Sequence, residues 1–81
     1  MHVENSRTGE VIAIPADIVR MFWSASEVRK PGDTCLVIVD RSGIETRVPH
    51  LPHDGLDAYG LHDAILAGGA VAEAVIEERP S

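Results

Sequence analysis

The side chains best able to do chemistry lie between residues 50 and 63, where histidines and aspartates are interspersed with apolar residues. Imidazole nitrogens and carboxylate oxygens are ligands for zinc and other divalent transition metals. The spacing works against one shared ion, because His62 follows His53 by about 12–14 Å along a helix axis at 1.5 Å per residue. The alternative function is therefore a small metal-binding protein or metal-dependent enzyme using His50, His53, Asp57 and His62.

Covalent and phosphate chemistry have no signature elsewhere in the chain. No serine stands in the glycine-flanked elbow of a hydrolase nucleophile, and no lysine of a phosphate-binding loop follows Gly68-Gly69. Cys35 is the only cysteine and lies inside an apolar run, where cysteine behaves as a small buried hydrophobe. The main prediction is a protein that is not an enzyme and carries no cofactor and no metal.

The charge of the chain favours a protein partner over a nucleic acid. The formal net charge is −6 at pH 7, and the seven lysine and arginine residues are scattered. Nucleic-acid binding requires clustered basic side chains, and only Arg29 and Lys30 are adjacent. We expect a partner protein with a basic surface and no direct contact with nucleic acid.

The length of the chain and the distribution of its apolar residues predict a single domain that does not span a membrane. No stretch approaches the roughly 18 apolar residues of a membrane span, and residues 1–10 lack the apolar segment of a signal peptide. A single cysteine cannot form an internal disulfide. We expect a cytoplasmic protein with one α+β domain over residues 1–81, frayed at 1–8 and 78–81.

The first third of the chain predicts a strand and then a helix. Residues 9–14 suit a short strand that ends at Pro15. Over residues 16–28 the apolar side chains recur with helical spacing, and Pro15 suits the first turn of a helix. That apolar stripe consists of Ile18, Met21, Phe22, Ala25 and Val28. A strand through Val19, Met21 and Trp23 is the competing prediction.

The middle and end of the chain predict a hairpin, a helix and a strand. Residues 34–39 contain the densest apolar run, Asp40 to Gly43 form a turn signal, and residues 44–48 alternate, which is typical of a β-hairpin. Asp54 is the expected cap of a second helix that begins near Gly55. The predicted apolar stripe of that helix consists of Leu56, Tyr59, Leu61, Ile65 and Leu66. Residues 70–78 favour an edge strand after the Gly68-Gly69 stop signal.

These elements follow the order β-α-β-β-α-β. That order is the one of ferredoxin-like sandwiches, in which helices cover one face of an antiparallel sheet. In that topology the first and third strands are central, whereas the most apolar strand here is the second, over residues 34–40. An antiparallel β-meander with one or two packed helices is the alternative fold.

The predicted binding surface centres on Trp23, which lies off the apolar stripe of the predicted helix. Tryptophan is a frequent energetic anchor in protein interfaces, and acidic neighbours raise the association rate with a basic partner. The residues assigned to the partner surface are Val19, Met21, Trp23, Glu27, Glu73 and Glu77.

The predicted function is that of a non-catalytic acidic module. It would act as a small adaptor or inhibitor that docks on a basic protein surface, with or without forming a homodimer. An inhibitor of a nucleic-acid-handling enzyme, of the kind phages and mobile elements encode, belongs to this class.

Overall fold

Six strands and one α-helix make up the part of the chain that the computed structural model describes, namely residues 2–25, 34–68 and 71–76. The strands are β1 His2–Glu4, β2 Val11–Ala13, β3 Ile18–Ala25, β4 Thr34–Asp40, β5 Glu45–Pro49 and β6 Val71–Ile76. The helix α1 spans Ala58–Ala67, and a short 3₁₀ turn spans Pro52–Asp54. The fold is of the α+β type.

Four strands form the main sheet, in the order β5-β4-β3-β6. The consecutive strands β3, β4 and β5 pair antiparallel as a meander, and β6 joins β3 in parallel. Because β5 and β6 run in the same direction, the chain must cross over between them, and this crossover contains α1. A separate two-stranded sheet pairs β1 with β2.

The hairpin predicted over residues 34–48 is present as β4 and β5. Its pairing joins Leu36 to Val48 and Val39 to Glu45. In the turn, the Asp40 carboxylate accepts hydrogen bonds from the Ser42 and Ile44 amides at 2.8 and 3.0 Å. Gly43 has a φ of +84°, a conformation that glycine adopts without the strain a side chain would bring.

The prediction of a helix over residues 16–28 is wrong for the part of that segment that the structure describes. Residues 18–25 form the strand β3 instead. The register explains the misleading periodicity. Ile18 opposes Asp40 and Arg20 opposes Val39, so Val19 is an extra residue, a β-bulge. The bulge puts Ile18 and Met21, three residues apart, into the same core. The competing prediction of a strand is correct here.

The ferredoxin-like arrangement is not confirmed by the structure. Within residues 2–25, 34–68 and 71–76 the structure contains α1 as its single α-helix, so the order β-α-β-β-α-β is not found. The meander of β3, β4 and β5 with a helix packed on it corresponds to the alternative fold, except that β6 is added in parallel.

The start of the chain contains a strand that the sequence did not predict. Residues 1–8 were expected to be frayed, yet β1 occupies His2–Glu4 and pairs with β2 inside the strand predicted over residues 9–14. The buried Asn5 side chain accepts hydrogen bonds from the Arg7 and Thr8 amides at 2.9 and 3.1 Å. Backbone and side-chain bonds therefore hold the loop after β1.

The second predicted helix is present but begins later than expected. Asp57, rather than Asp54, caps α1 by accepting the Gly60 amide at 3.0 Å. Leu61 and Ile65 are buried as predicted, whereas Leu66 is exposed. No helix within the described residues is long and apolar enough to cross a membrane.

The core lies between α1 and one face of the sheet. β4 contributes Leu36 and Ile38 to this core, and the alternate side chains of Cys35 and Val37 are also buried. Val3, Ile12 and Trp23 pack against the core from its edges. The buried core residues are Ile14, Ile18, Met21, Leu36, Ile38, Val48, Ala58, Leu61 and Ile65.

Candidate functional site

Trp23 anchors a group of contacting ring side chains where β3 faces α1. The indole is half-buried and packs against the core. The Tyr59 ring meets it in an edge-to-face arrangement, with centroids 4.9 Å apart and planes at 62°. The His62 ring lies 5.5 Å away at 45°. Edge-to-face aromatic pairs of this kind add about 0.5–1.5 kcal/mol beyond the area they bury.

His50 extends the group from the loop after β5. Its ring stacks on Tyr59 with centroids 4.3 Å apart and planes at 29°. The Ala58 amide donates to His50 Nδ1 at 3.2 Å, so in the neutral ring Nε2 carries the proton. We call Trp23, His50, Tyr59 and His62 the aromatic cluster. It joins β3, the loop after β5 and the first two turns of α1.

His62 is the most buried polar member of the aromatic cluster, with 6% of the residue exposed. Its Nδ1 atom lies 3.2 Å from Asp63 Oδ1. An ionised carboxylate can only accept a hydrogen bond, so His62 Nδ1 is the donor. Across the described residues, two buried side-chain atoms have no hydrogen-bond partner, and both belong to this cluster: Trp23 Nε1 and His62 Nε2.

Two exposed carboxylates border the aromatic cluster, and we call them the acidic rim. Asp57 Oδ1 lies 3.8 Å from His50 Nδ1, and the Asp57 side chain is 66% exposed. Asp63 contacts His62, and its side chain is 59% exposed. Three half-buried rings and the buried His62 ring thus lie beside solvated negative charge.

The residues assigned to the partner surface are not all on the surface. Met21 has no exposed surface and belongs to the core, so its assignment to the partner surface is wrong. The bulge at Val19 is the cause, since it turns Met21 to the same side as Ile18. Val19 is half-buried at the bulge. Glu27 and Glu77 lie outside the described residues, and for Glu73 the structure describes only the backbone of β6.

The structure brings Asp57 within 3.8 Å of His50, but it does not assemble the four residues of the metal-binding alternative around one point. His53 is exposed in the 3₁₀ turn, His62 is buried against Trp23, and His50 Nδ1 is already engaged by the Ala58 amide. No group of three or more His, Cys, Asp or Glu side chains could hold a metal ion within the described parts of the chain. The residue types suit a metal, but their positions do not.

The sequence singled out Trp23 but not its ring partners. Tyr59 was assigned to the apolar stripe of a helix, and His50 and His62 to a metal cluster. The i, i+3 spacing of Tyr59 and His62 is a signal that both lie on one side of a helix. Their contact with Trp23 joins residues 36 and 39 positions apart, which no local pattern contains.

A shallow depression of about 180 Å³ lies elsewhere, between the loop before β3 and the β4–β5 turn. The Arg41 amide donates to the Asp17 carbonyl at 3.0 Å, so part of its polar lining is satisfied within the protein. The depression is lined by Pro15, Ala16, Asp17, Asp40, Arg41 and Ser42.

Comparisons with known proteins leave the function to be inferred from this geometry and charge. No protein-family model, no curated protein and no solved structure matches the chain.

Proposed function

We propose that this chain is a non-catalytic protein-binding module that docks through its aromatic cluster on a basic surface of a partner protein. It acts in the cytoplasm as a small adaptor or inhibitor. The observation that carries the proposal is the half-buried Trp23 packed edge-to-face on Tyr59, with the acidic rim of Asp57 and Asp63 beside them.

Anchor residues and charged residues contribute to binding in different ways. Tryptophan and tyrosine are enriched among the few interface residues whose truncation costs about 2 kcal/mol or more of binding free energy. Exposed carboxylates add little to affinity, but they accelerate encounter with a basic partner and disfavour acidic ones. The aromatic cluster supplies the first contribution and the acidic rim the second.

The net charge of −6 favours a basic partner also at distances beyond direct contact, because the field of the whole protein attracts positive charge. Proteins with strongly basic surfaces include those that bind nucleic acids. The proposed partner is therefore a nucleic-acid-handling enzyme, which the module inhibits by covering its basic surface, as inhibitors encoded by phages and mobile elements do.

The test is capture of the partner by the full chain and a measurement of their affinity. The chain is immobilised and exposed to a lysate of the source organism, and the bound proteins are identified by mass spectrometry. The captured protein is then purified, and its Kd is measured at low and high salt. We expect a specific partner with a basic surface and a faster association at low salt.

Two outcomes would contradict the proposal. One is a captured partner whose affinity is unaffected when Trp23 is replaced. The other is a self-association, measured by analytical ultracentrifugation, that buries the aromatic cluster in a homodimer, because the cluster would then serve assembly instead of partner binding.

A further inference from the structure

We infer that Trp23 Nε1 and His62 Nε2 together bind one water molecule that bridges β3 and α1. The inference begins from the two unpartnered polar atoms of the aromatic cluster, both buried, in rings whose centroids lie 5.5 Å apart. Buried polar groups in folded proteins are almost always hydrogen-bonded, to the protein or to ordered water. Two such atoms in neighbouring rings indicate a shared ligand.

The two atoms have complementary chemistry. The indole Nε1 can only donate a hydrogen bond. His62 Nδ1 donates to Asp63 Oδ1 at 3.2 Å, which fixes the tautomer of the neutral ring and leaves Nε2 with a lone pair that can only accept. A ligand placed between them must accept from Trp23 and donate to His62. One water molecule does both.

The burial of both atoms limits the size of the ligand. Neither Trp23 Nε1 nor His62 Nε2 is exposed to solvent, and His62 as a residue is 6% exposed. A side chain from a partner could not reach them without displacing the rings, whereas a single water fits the chemistry of the pair. The inference is therefore independent of the proposed function.

Nuclear magnetic resonance offers a direct test, because Trp23 is the only tryptophan and gives a single indole N–H signal. In the full chain we expect a dipolar cross-peak between that proton and a long-lived water. In ¹⁵N-histidine-labelled protein we expect His62 to be protonated at Nδ1 and unprotonated at Nε2.

Two variants at residue 62 test the water bridge while a separate measurement checks that each variant is folded. His62→Gln keeps an acceptor near the position of Nε2, and His62→Leu removes it while filling a similar volume. The water cross-peak should persist in His62→Gln and disappear in His62→Leu, with thermal unfolding showing that both variants fold.

Three results would overturn the inference, and two of them need only the unmodified protein. The first is an indole proton that is protected from exchange without a water cross-peak, because another protein group would then accept its hydrogen bond. The second is a His62 ring protonated at Nε2 and not at Nδ1. The third is an unchanged water cross-peak in a folded His62→Leu protein.

Discussion

Phe22 and Trp23 are consecutive residues of β3 whose rings lie on opposite faces of the main sheet. The Arg20 guanidinium sits 4.5 Å above the Phe22 ring on the face away from α1. On the other face, Trp23 packs against Tyr59 of α1 at 4.9 Å. Successive side chains of a strand point to opposite sides of the sheet. Substitutions at these two adjacent residues therefore test the two faces of the sheet separately.

Replacing Trp23 should remove partner binding, whereas replacing Phe22 should not. Trp23→Ala truncates the proposed anchor, and we expect a loss of about 2 kcal/mol or more of binding free energy, a roughly 30-fold or greater increase in Kd. Phe22→Ala removes an aromatic ring next to it in sequence but on the opposite face, and the Kd should change less than about threefold. Isothermal titration calorimetry with the captured partner measures both values.

Folding has to be controlled in this comparison, since a small domain has little stability to lose. Circular dichroism and thermal unfolding should show that both variants remain folded at the temperature of the titration. An equal loss of affinity in folded Trp23→Ala and Phe22→Ala proteins would place the interface elsewhere.

Neutralising the acidic rim should slow association more than it changes dissociation. Asp57→Asn keeps a good helix cap, and Asp63→Asn keeps an oxygen that can accept from His62. With both charges removed, we expect a several-fold lower association rate at low salt and little change in the dissociation rate. Surface plasmon resonance at two salt concentrations measures both rates. An effect confined to dissociation would contradict a steering role.

His50 should contribute to stability and His53 should not. His50→Ala removes the acceptor of the Ala58 amide at the start of α1 and the ring stacked on Tyr59, so we expect a loss of about 1–2 kcal/mol in the free energy of unfolding. His53 is exposed in the 3₁₀ turn, and His53→Ala should change stability by less than about 0.5 kcal/mol. Urea unfolding followed by circular dichroism compares the two. Equal values would mean that the cap at His50 Nδ1 has no energetic role.

Gly60 and Asp57 should be energetically coupled. Alanine in place of a helical glycine usually stabilises by about 1 kcal/mol. A Cβ at residue 60 would overlap Asp57 Oδ2, and the capping carboxylate would have to move. Gly60→Ala should therefore be close to neutral in the natural chain, because the gain in helix propensity is offset by a weakened cap worth about 1 kcal/mol.

The double-mutant cycle measures that coupling. In an Asp57→Ala background no capping carboxylate remains to be disturbed, and Gly60→Ala should stabilise by about 1 kcal/mol. Urea unfolding of the four proteins provides the values. If Gly60→Ala stabilises the two backgrounds equally, the carboxylate accommodates the new methyl group without losing its bond.

The parts of the fold that were predictable are those whose determinants are local. The hairpin of β4 and β5 is specified by an apolar run, a turn that Asp40 and Gly43 close, and an alternating partner strand. The helix α1 was expected in this region, but its start was misplaced by three residues. Asp54 and Asp57 are both good caps in isolation, and Pro52–Asp54 forms the 3₁₀ turn that delays the helix.

The candidate site was only partly predictable. Trp23 could be chosen from its residue type, whereas Met21 was misassigned because its burial depends on the bulge at Val19. Tyr59, His50 and His62 join Trp23 only when α1 is packed against β3.

The sequence by itself determined the acidic charge, the aliphatic core strand, the hairpin turn and the presence of a helix after residue 55, because each depends on neighbouring residues or on composition. Only the tertiary structure decided that residues 18–25 form a strand. Ile18 and Met21 have the three-residue spacing of a helix face, and a bulged strand beside β4 buries the same two side chains equally well. β3 pairs with β4 along its length and with β6 from Ile18 to Met21, and this long-range gain cannot be deduced from the local spacing.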